Sequence, residues 1–183
     1  MNERYDKLAD ADDVNRQIAR LAGEILNDEP ERSPLFVALL RGAAPFSSKL
    51  MTEIARQSPD YHPELDYMTV STYGSGQLAG EPHIVMDLAP DKVVRGRDVV
   101  IVDDVLDKGI TTDFVTSHLR ARGAAAIRIA VLCDKRTKRE RDVTADYVGF
   151  TFDDKWLVGM GMDDAGAAEE GYRWLEEIWE IRQ

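Results

Sequence analysis

The sequence predicts an α/β protein: a mostly parallel, twisted sheet flanked by helices. Three observations carry this. The apolar runs LFVALL (35–40), VVIV (99–102) and AIRIAVLC (126–133) read as strands buried on both faces. The first two each run into a glycine-containing turn and then a helical pattern, Arg41-Gly42 in one case and Asp107-Lys108-Gly109 in the other. Strands and amphipathic helices alternate along most of the chain, the pattern of a doubly wound sheet. A length of 183 residues suits one such domain and buries a sizeable core.

Residues 11–28 read as a helix, with Val14, Ile18, Leu21, Ile25 and Leu26 at helical spacing and Asp12 or Asp13 as its cap. Glu29 to Pro34 is a turn before the 35–40 strand. A helix entered through Pro45 follows, with Phe46, Leu50, Met51 and Ile54 on its apolar face. LDYMTVSTY (65–73) is a strand by its β-branched and aromatic content. GSGQLAGEP (74–82) has no hydrophobic period and reads as a mobile loop, and HIVMDL (83–88) as a returning strand. After the central motif, Phe114, Val115, His118 and Leu119 define a helix face that Gly123 terminates. The 126–133 strand, a basic stretch (KRTKRERD) and the strand pieces DYVGFTF and KWLVGMG follow. In the last segment, Trp174, Leu175, Ile178 and Trp179 fall at helical spacing.

Composition narrows the partners. The chain has 23 basic and 34 acidic residues, a net charge of −11. Such a balance argues against broad nucleic-acid binding or an anionic membrane surface. The single cysteine, Cys133, forms no internal disulfide, fits a reducing compartment and is expected in the core. No apolar run approaches spanning length, and a soluble, cytoplasmic protein is expected. His62, His83 and His118 share no metal-ligand spacing.

The chemistry concentrates in VVIVDDVLDKGITT (99–112). Asp103 and Asp104 fall where the strand ends, and the carboxyl edge of a central strand is where ligands bind in an open α/β sheet. The turn holding Asp107, Lys108 and Gly109 opens the next helix at Ile110, Thr111 and Thr112, and a helix N-terminus suits a phosphate. These residues describe a site for a ligand with both hydroxyls and phosphate.

That motif resembles the phosphoribosyl pyrophosphate (PRPP) motif of type I phosphoribosyltransferases. LLRG (39–42), STYGSG (71–76), VLCDKRT (131–137), DYVGF (146–150) and DKWLVGMGMDD (154–164) resemble, in the same order, segments of the hypoxanthine-guanine phosphoribosyltransferases. The resemblance implies a single domain over 1–183, with a core over about 11–150. It further implies a small hood from the N-terminal segment and about 151–183, and a mobile lid over about 72–86. It implies transfer of the 5-phosphoribosyl group from PRPP to hypoxanthine or guanine, with Mg²⁺ as cofactor and a homodimer or homotetramer as the assembly. A xanthine-preferring enzyme and an RNA-binding regulator on the same fold are the alternatives.

Carried over by residue, the resemblance sets Asp103 and Asp104 beside the ribose hydroxyls. It sets Asp107 as general base near purine N7, and residues 107–111 with the Thr111 hydroxyl as the 5′-phosphate cradle, Thr112 adjoining. Lys108 stands where relatives usually carry threonine. Lys135 would bind the exocyclic O6, Trp156 would stack on the base, and Leu157 would meet its edge through the backbone. Asp163, with Asp103 and Asp104, would serve Mg²⁺, and Asp164 would be a surface neighbour. Leu40, Arg41 and Gly42 would form the pyrophosphate loop, often built on a cis peptide, and Arg173 would reach it if 165–170 loops out. Thr72 and Tyr73 would begin the lid. Without the resemblance, Lys135 reads as part of a solvated basic run and Trp156 as core.

Overall fold

A computed structural model describes residues 3–28, 34–73, 79–164, 166 and 171–182. In chain order it contains β1 (Tyr5–Ala9), α1 (Ala11–Asp28), β2 (Leu35–Leu40), α2 (Ala44–Gln57), β3 (Glu64–Tyr73) and β4 (Ala79–Met86). These are followed by β5 (Asp98–Leu106), α3 (Ile110–Ala121), β6 (Ala126–Lys135), β7 (Tyr147–Phe152), β8 (Leu157–Val158) and β9 (Ile178–Ile181). The main sheet has the order β4-β3-β2-β5-β6-β7. It is parallel throughout except for the antiparallel edge strand β4. The predicted fold class is the observed one.

Strand alternation divides the core in two. Val100 and Val102 of β5, with Phe36 and Ala38 of β2, face Ile18, Leu21 and Ile25 of α1 and Phe46, Leu50 and Ile54 of α2. Val99 and Ile101, with Leu35 and Val37, face Val115 and Leu119 of α3. Both sets are essentially solvent-free, which is why these strands are apolar at every position. The sheet edge at the ends of β5 and β6 is thereby fixed from both sides.

Four local readings change. Helix α1 is capped by Asp10 rather than Asp12 or Asp13: the Asp13 N–H donates to Asp10 Oδ1 at 2.8 Å and the Asp10 N–H to Asp13 Oδ2 at 3.2 Å, a reciprocal box. Residues 79–82, expected in the loop, are strand, because β4 pairs back on β3 with Tyr73 opposite Ala79; the rest of that loop, 74–78, lies outside the described residues. The 126–133 strand extends to Lys135. The C-terminal segment is a turn and the strand β9, with no helix among its described residues. Tyr172 takes a left-handed φ of 63°, and β9 lies between β1 and β8 in a separate three-stranded antiparallel sheet. Tertiary pairing overrides the helical spacing there; β1 itself carries too little apolar content to be read as a strand.

Cys133 is buried, as expected. Among the described residues, no helix is long and apolar enough to cross a membrane.

Candidate active site

The parallel strands β5 and β6 end side by side, with Val105 opposite Cys133 and Leu106 opposite Asp134. Above them lies a cleft of about 200 Å³, lined by Asp104, Val105, Asp107, Lys135, Trp156, Leu157, Met162, Asp163 and Arg173. Two parts of the chain build it: the sheet edge supplies the first four, and the turns around β8 supply the rest.

On the sheet edge, Lys135 Nζ lies 2.9 Å from Asp107 Oδ2. Lys135 is only 8% exposed, so the basic run does not begin as a solvated face. Asp107 Oδ1 is buried without a hydrogen-bond partner, an acceptor available to a ligand proton. Next along the loop, Gly109 takes a φ of 82° and heads α3 with no side-chain cap. The N–H groups of the first turn are therefore offered to an anion rather than to a capping side chain. Thr111 is half-buried and Thr112 buried in that turn. Lys108 turns outward: its ammonium is 2.6 Å from Glu140, and more than half of its side chain is exposed.

Asp103 and Asp104 sit close together at the strand end. Burial and the repulsion of Asp104 raise the Asp103 pKa well above the usual carboxylate value. Burial also raises that of Asp104, against the opposing pull of hydrogen bonds and of Arg173. Asp104 lines the cleft, whereas Asp103 is one step along the alternation and outside its lining.

The turn after β8, beside the three-stranded sheet (together the hood), meets this edge with almost no side chain between. A Cβ on Gly42 would lie 2.3 Å from Asp104 Oδ2, and one on Gly161 would lie 1.8 Å from the Gly42 carbonyl oxygen. The Leu40–Arg41 peptide is cis, and the turn it opens bonds Ala43 N–H to Leu39 O at 3.0 Å. Arg41 is exposed and Leu40 and Gly42 are half-buried. Arg173, 8% exposed, lies inside the cleft rather than outside it. It donates to Gly161 O and, at 2.5 Å, to Asp163 Oδ2.

Trp156 is 60% exposed, not core, and its indole N–H reaches Asp163 O at 3.4 Å, leaving the ring on the cleft wall above buried Leu157. Asp164 is buried rather than superficial: it accepts from the Tyr5 hydroxyl at 2.8 Å and pairs with Arg4 at 3.1 Å, tying β1 to the hood. Burial and that carboxylate push the Tyr5 pKa up to about 12.

Of the residues singled out in the sequence, Asp104, Asp107, Lys135, Trp156, Leu157, Asp163 and Arg173 thus share one cleft, with Asp103, residues 108–112 and 40–42 around it. Thr72, near the end of β3 and two strands from β5, is not among the lining residues, and the side chain of Tyr73 lies outside the described residues. Sequence reading missed Val105 and Met162, whose apolar character gives no signal. Among the described residues, no three His, Cys, Asp or Glu side chains converge as a metal cage, so Asp163, Asp103 and Asp104 are not one cluster.

The model of the phosphoribosyl transferase domain matches residues 4–165. The hypoxanthine-guanine phosphoribosyltransferase of Bacillus subtilis (strain 168) is 36% identical over 172 residues, covering 93% of this chain and 89% of the relative. The enzyme of that name from Streptococcus pyogenes serotype M3 (strain ATCC BAA-595 / MGAS315) is 34% identical over the same shares. The crystal structure of a hypoxanthine phosphoribosyltransferase from Staphylococcus aureus superposes with a TM-score of 0.85 at 31% identity, over 97% of this chain and 91% of that one. The chain belongs to the hypoxanthine-guanine phosphoribosyltransferase family.

Proposed function

We propose that this cleft transfers the 5-phosphoribosyl group from PRPP to hypoxanthine or guanine, forming IMP or GMP and releasing pyrophosphate. One observation carries the reading. Lys135 and Asp107 meet at 2.9 Å on adjacent strand ends, beside an indole face and one turn from an uncapped helix N-terminus. The 5′-phosphate fits the N–H groups at residues 107–111 and the Thr111 hydroxyl. Asp103 and Asp104 accept from the ribose hydroxyls, and their charge favours the cation-like anomeric carbon. Lys135 donates to the purine O6 while the base lies against Trp156, and the ammonium selects oxygen over the amino group of adenine. Asp107, thereby released from Lys135, handles the N7 proton. Arg173, with the backbone of 40–42, faces the leaving pyrophosphate.

The donor set suits Mg²⁺, which binds hard oxygens through one or two carboxylates and keeps waters or substrate phosphates for the rest. Asp163 and Asp104, which line the same cleft, would supply those carboxylates, with Asp103 at its margin. When bound, the ion neutralises the pyrophosphate as it leaves. The same reading makes the enzyme a cytoplasmic homodimer or homotetramer. A net charge of −11 weighs against an RNA-binding role.

Nucleotide formation from PRPP with hypoxanthine, guanine, xanthine and adenine, each with and without Mg²⁺, tests the assignment. Turnover of hypoxanthine or guanine that depends on Mg²⁺, with adenine inert, is expected. Turnover of adenine, or of xanthine alone, would overturn it.

A further inference from the structure

The stretch after Lys135 reads from sequence as a solvated basic run, but the structure uses it to wall the phosphate loop. Asp134, next to last in β6, is 3% exposed, and a buried carboxylate needs charged partners. Arg136 Nε donates to it at 2.8 Å from a side chain that is mostly in water. Arg139, whose side chain is 17% exposed, donates to the other carboxylate oxygen. The same guanidinium reaches the Lys135 carbonyl oxygen at 3.4 Å and the Val143 carbonyl oxygen at 3.2 Å.

The stem of Arg139 faces the other way. A Cβ on Gly109 would lie 3.2 Å from Arg139 Cδ, 3.4 Å from Arg141 Cβ and 3.6 Å from Val143 Cβ. Beside it, the N–H groups of Glu140 and Arg141 donate to Lys108 O at 2.9 and 3.2 Å. Lys108 Nζ closes the contact on Glu140. The loop at residues 107–109 is thus joined to the end of β6 twice. One link is the Lys135–Asp107 contact inside the cleft; the other is the strap over residues 139–143 behind it. Arg139 belongs to both ends of the second link.

We propose that Arg139 is a positioning residue that fixes the phosphate loop relative to Lys135, and so sets the spacing between the ribose phosphate and the purine. The proposal rests on the function assigned above. Contact inside the cleft cannot set that spacing during turnover, because Lys135 must leave Asp107 to meet the base, while the strap stays closed. A guanidinium fork serves a carboxylate and two carbonyls from one planar group, which a lysine ammonium on a flexible stem does not. Misplacement by about 1 Å in such a site costs up to about a hundredfold in rate.

The test compares wild type with Arg139→Met, which keeps the stem against Gly109, Arg139→Lys, which keeps the charge, and Asp134→Asn. Steady-state KM for PRPP and for hypoxanthine is measured well below each unfolding transition, alongside the Kd of ribose 5-phosphate by calorimetry. Arg139→Met is expected to raise both KM values and the ribose 5-phosphate Kd by about tenfold, with Arg139→Lys between it and wild type. Adding Asp134→Asn to Arg139→Met is expected to raise them no further, since both act through one link. A lower Tm with both KM values and the Kd within about twofold of wild type would overturn the proposal, leaving a purely structural ion pair. Should Arg139→Met not fold, Arg139→Lys decides on the same measurements: about threefold weaker ribose 5-phosphate binding supports it and no change overturns it. Wild type that binds ribose 5-phosphate but forms no nucleotide would refute the assigned reaction, while the ribose 5-phosphate series would still decide the role of Arg139.

Discussion

Asp103 and Asp104 show how the site trades stability for chemistry at the scale of a residue. Two carboxylates share a buried strand end, and their pKa values rise chiefly because burial disfavours charge and, for Asp103, because its neighbour repels it. The sign follows from linkage. A carboxylate whose folded pKa is raised contributes stability that is complete below its unfolded pKa of about 4 and is lost as pH rises through the folded value. At neutral pH the pair therefore destabilises the fold. Asp103→Asn keeps an oxygen acceptor for the Asp104 N–H, now 3.0 Å from Asp103 Oδ1, while removing one charge. It is expected to raise Tm at pH 7 by a few degrees, equivalent to about 1 kcal/mol, and to flatten the loss of stability as pH rises from about 4 to neutral. Thermal melts over that range check it, and a lower Tm at pH 7 would contradict it. The two aspartates were legible in the sequence as a pair; their division between the cleft and its margin was not, because it depends on where the strand alternation meets the hood.

At the scale of elements, the hood and the sheet edge meet backbone to backbone. Gly161 has a φ of 108°, and any Cβ there would collide with the Gly42 carbonyl oxygen. Arg173 locks the same turn from behind through Gly161 O. Gly161→Ala is expected to cost at least about 2 kcal/mol, combining left-handed strain with the clash. It should also weaken pyrophosphate binding, because the Gly42 turn must shift. Denaturant unfolding and pyrophosphate titration measure the two effects; an unchanged midpoint with unchanged affinity would contradict the contact. The strands and helices of the main sheet were readable because apolar runs and helical spacing report burial directly. The hood was less so. The residues of β9 carry a helical spacing, and only pairing with β1, more than 160 positions away, makes them a strand. Arg173 was legible only through the family resemblance, and its arrival in the cleft depends on that pairing as well.

Across the whole molecule, a mostly parallel sheet brings two strand ends together and a small sheet from both chain ends lids them with an indole, an acid and an arginine. Lys135 and Trp156 have bland readings in isolation, as solvated charge and as core. The fold reverses both readings by burying the first and exposing the second. The matched relatives fix the family, and the proposed reaction rests on one residue of the cleft: Asp107, freed when Lys135 turns to the base, would handle the purine N7 proton. The most direct test is the rate of IMP formation from hypoxanthine and saturating PRPP by Asp107→Asn against wild type, with PRPP binding measured in parallel. A fall in kcat of about 10²–10⁴-fold with PRPP affinity held within a few-fold is the expected result. Retention of most of the wild-type turnover would contradict it.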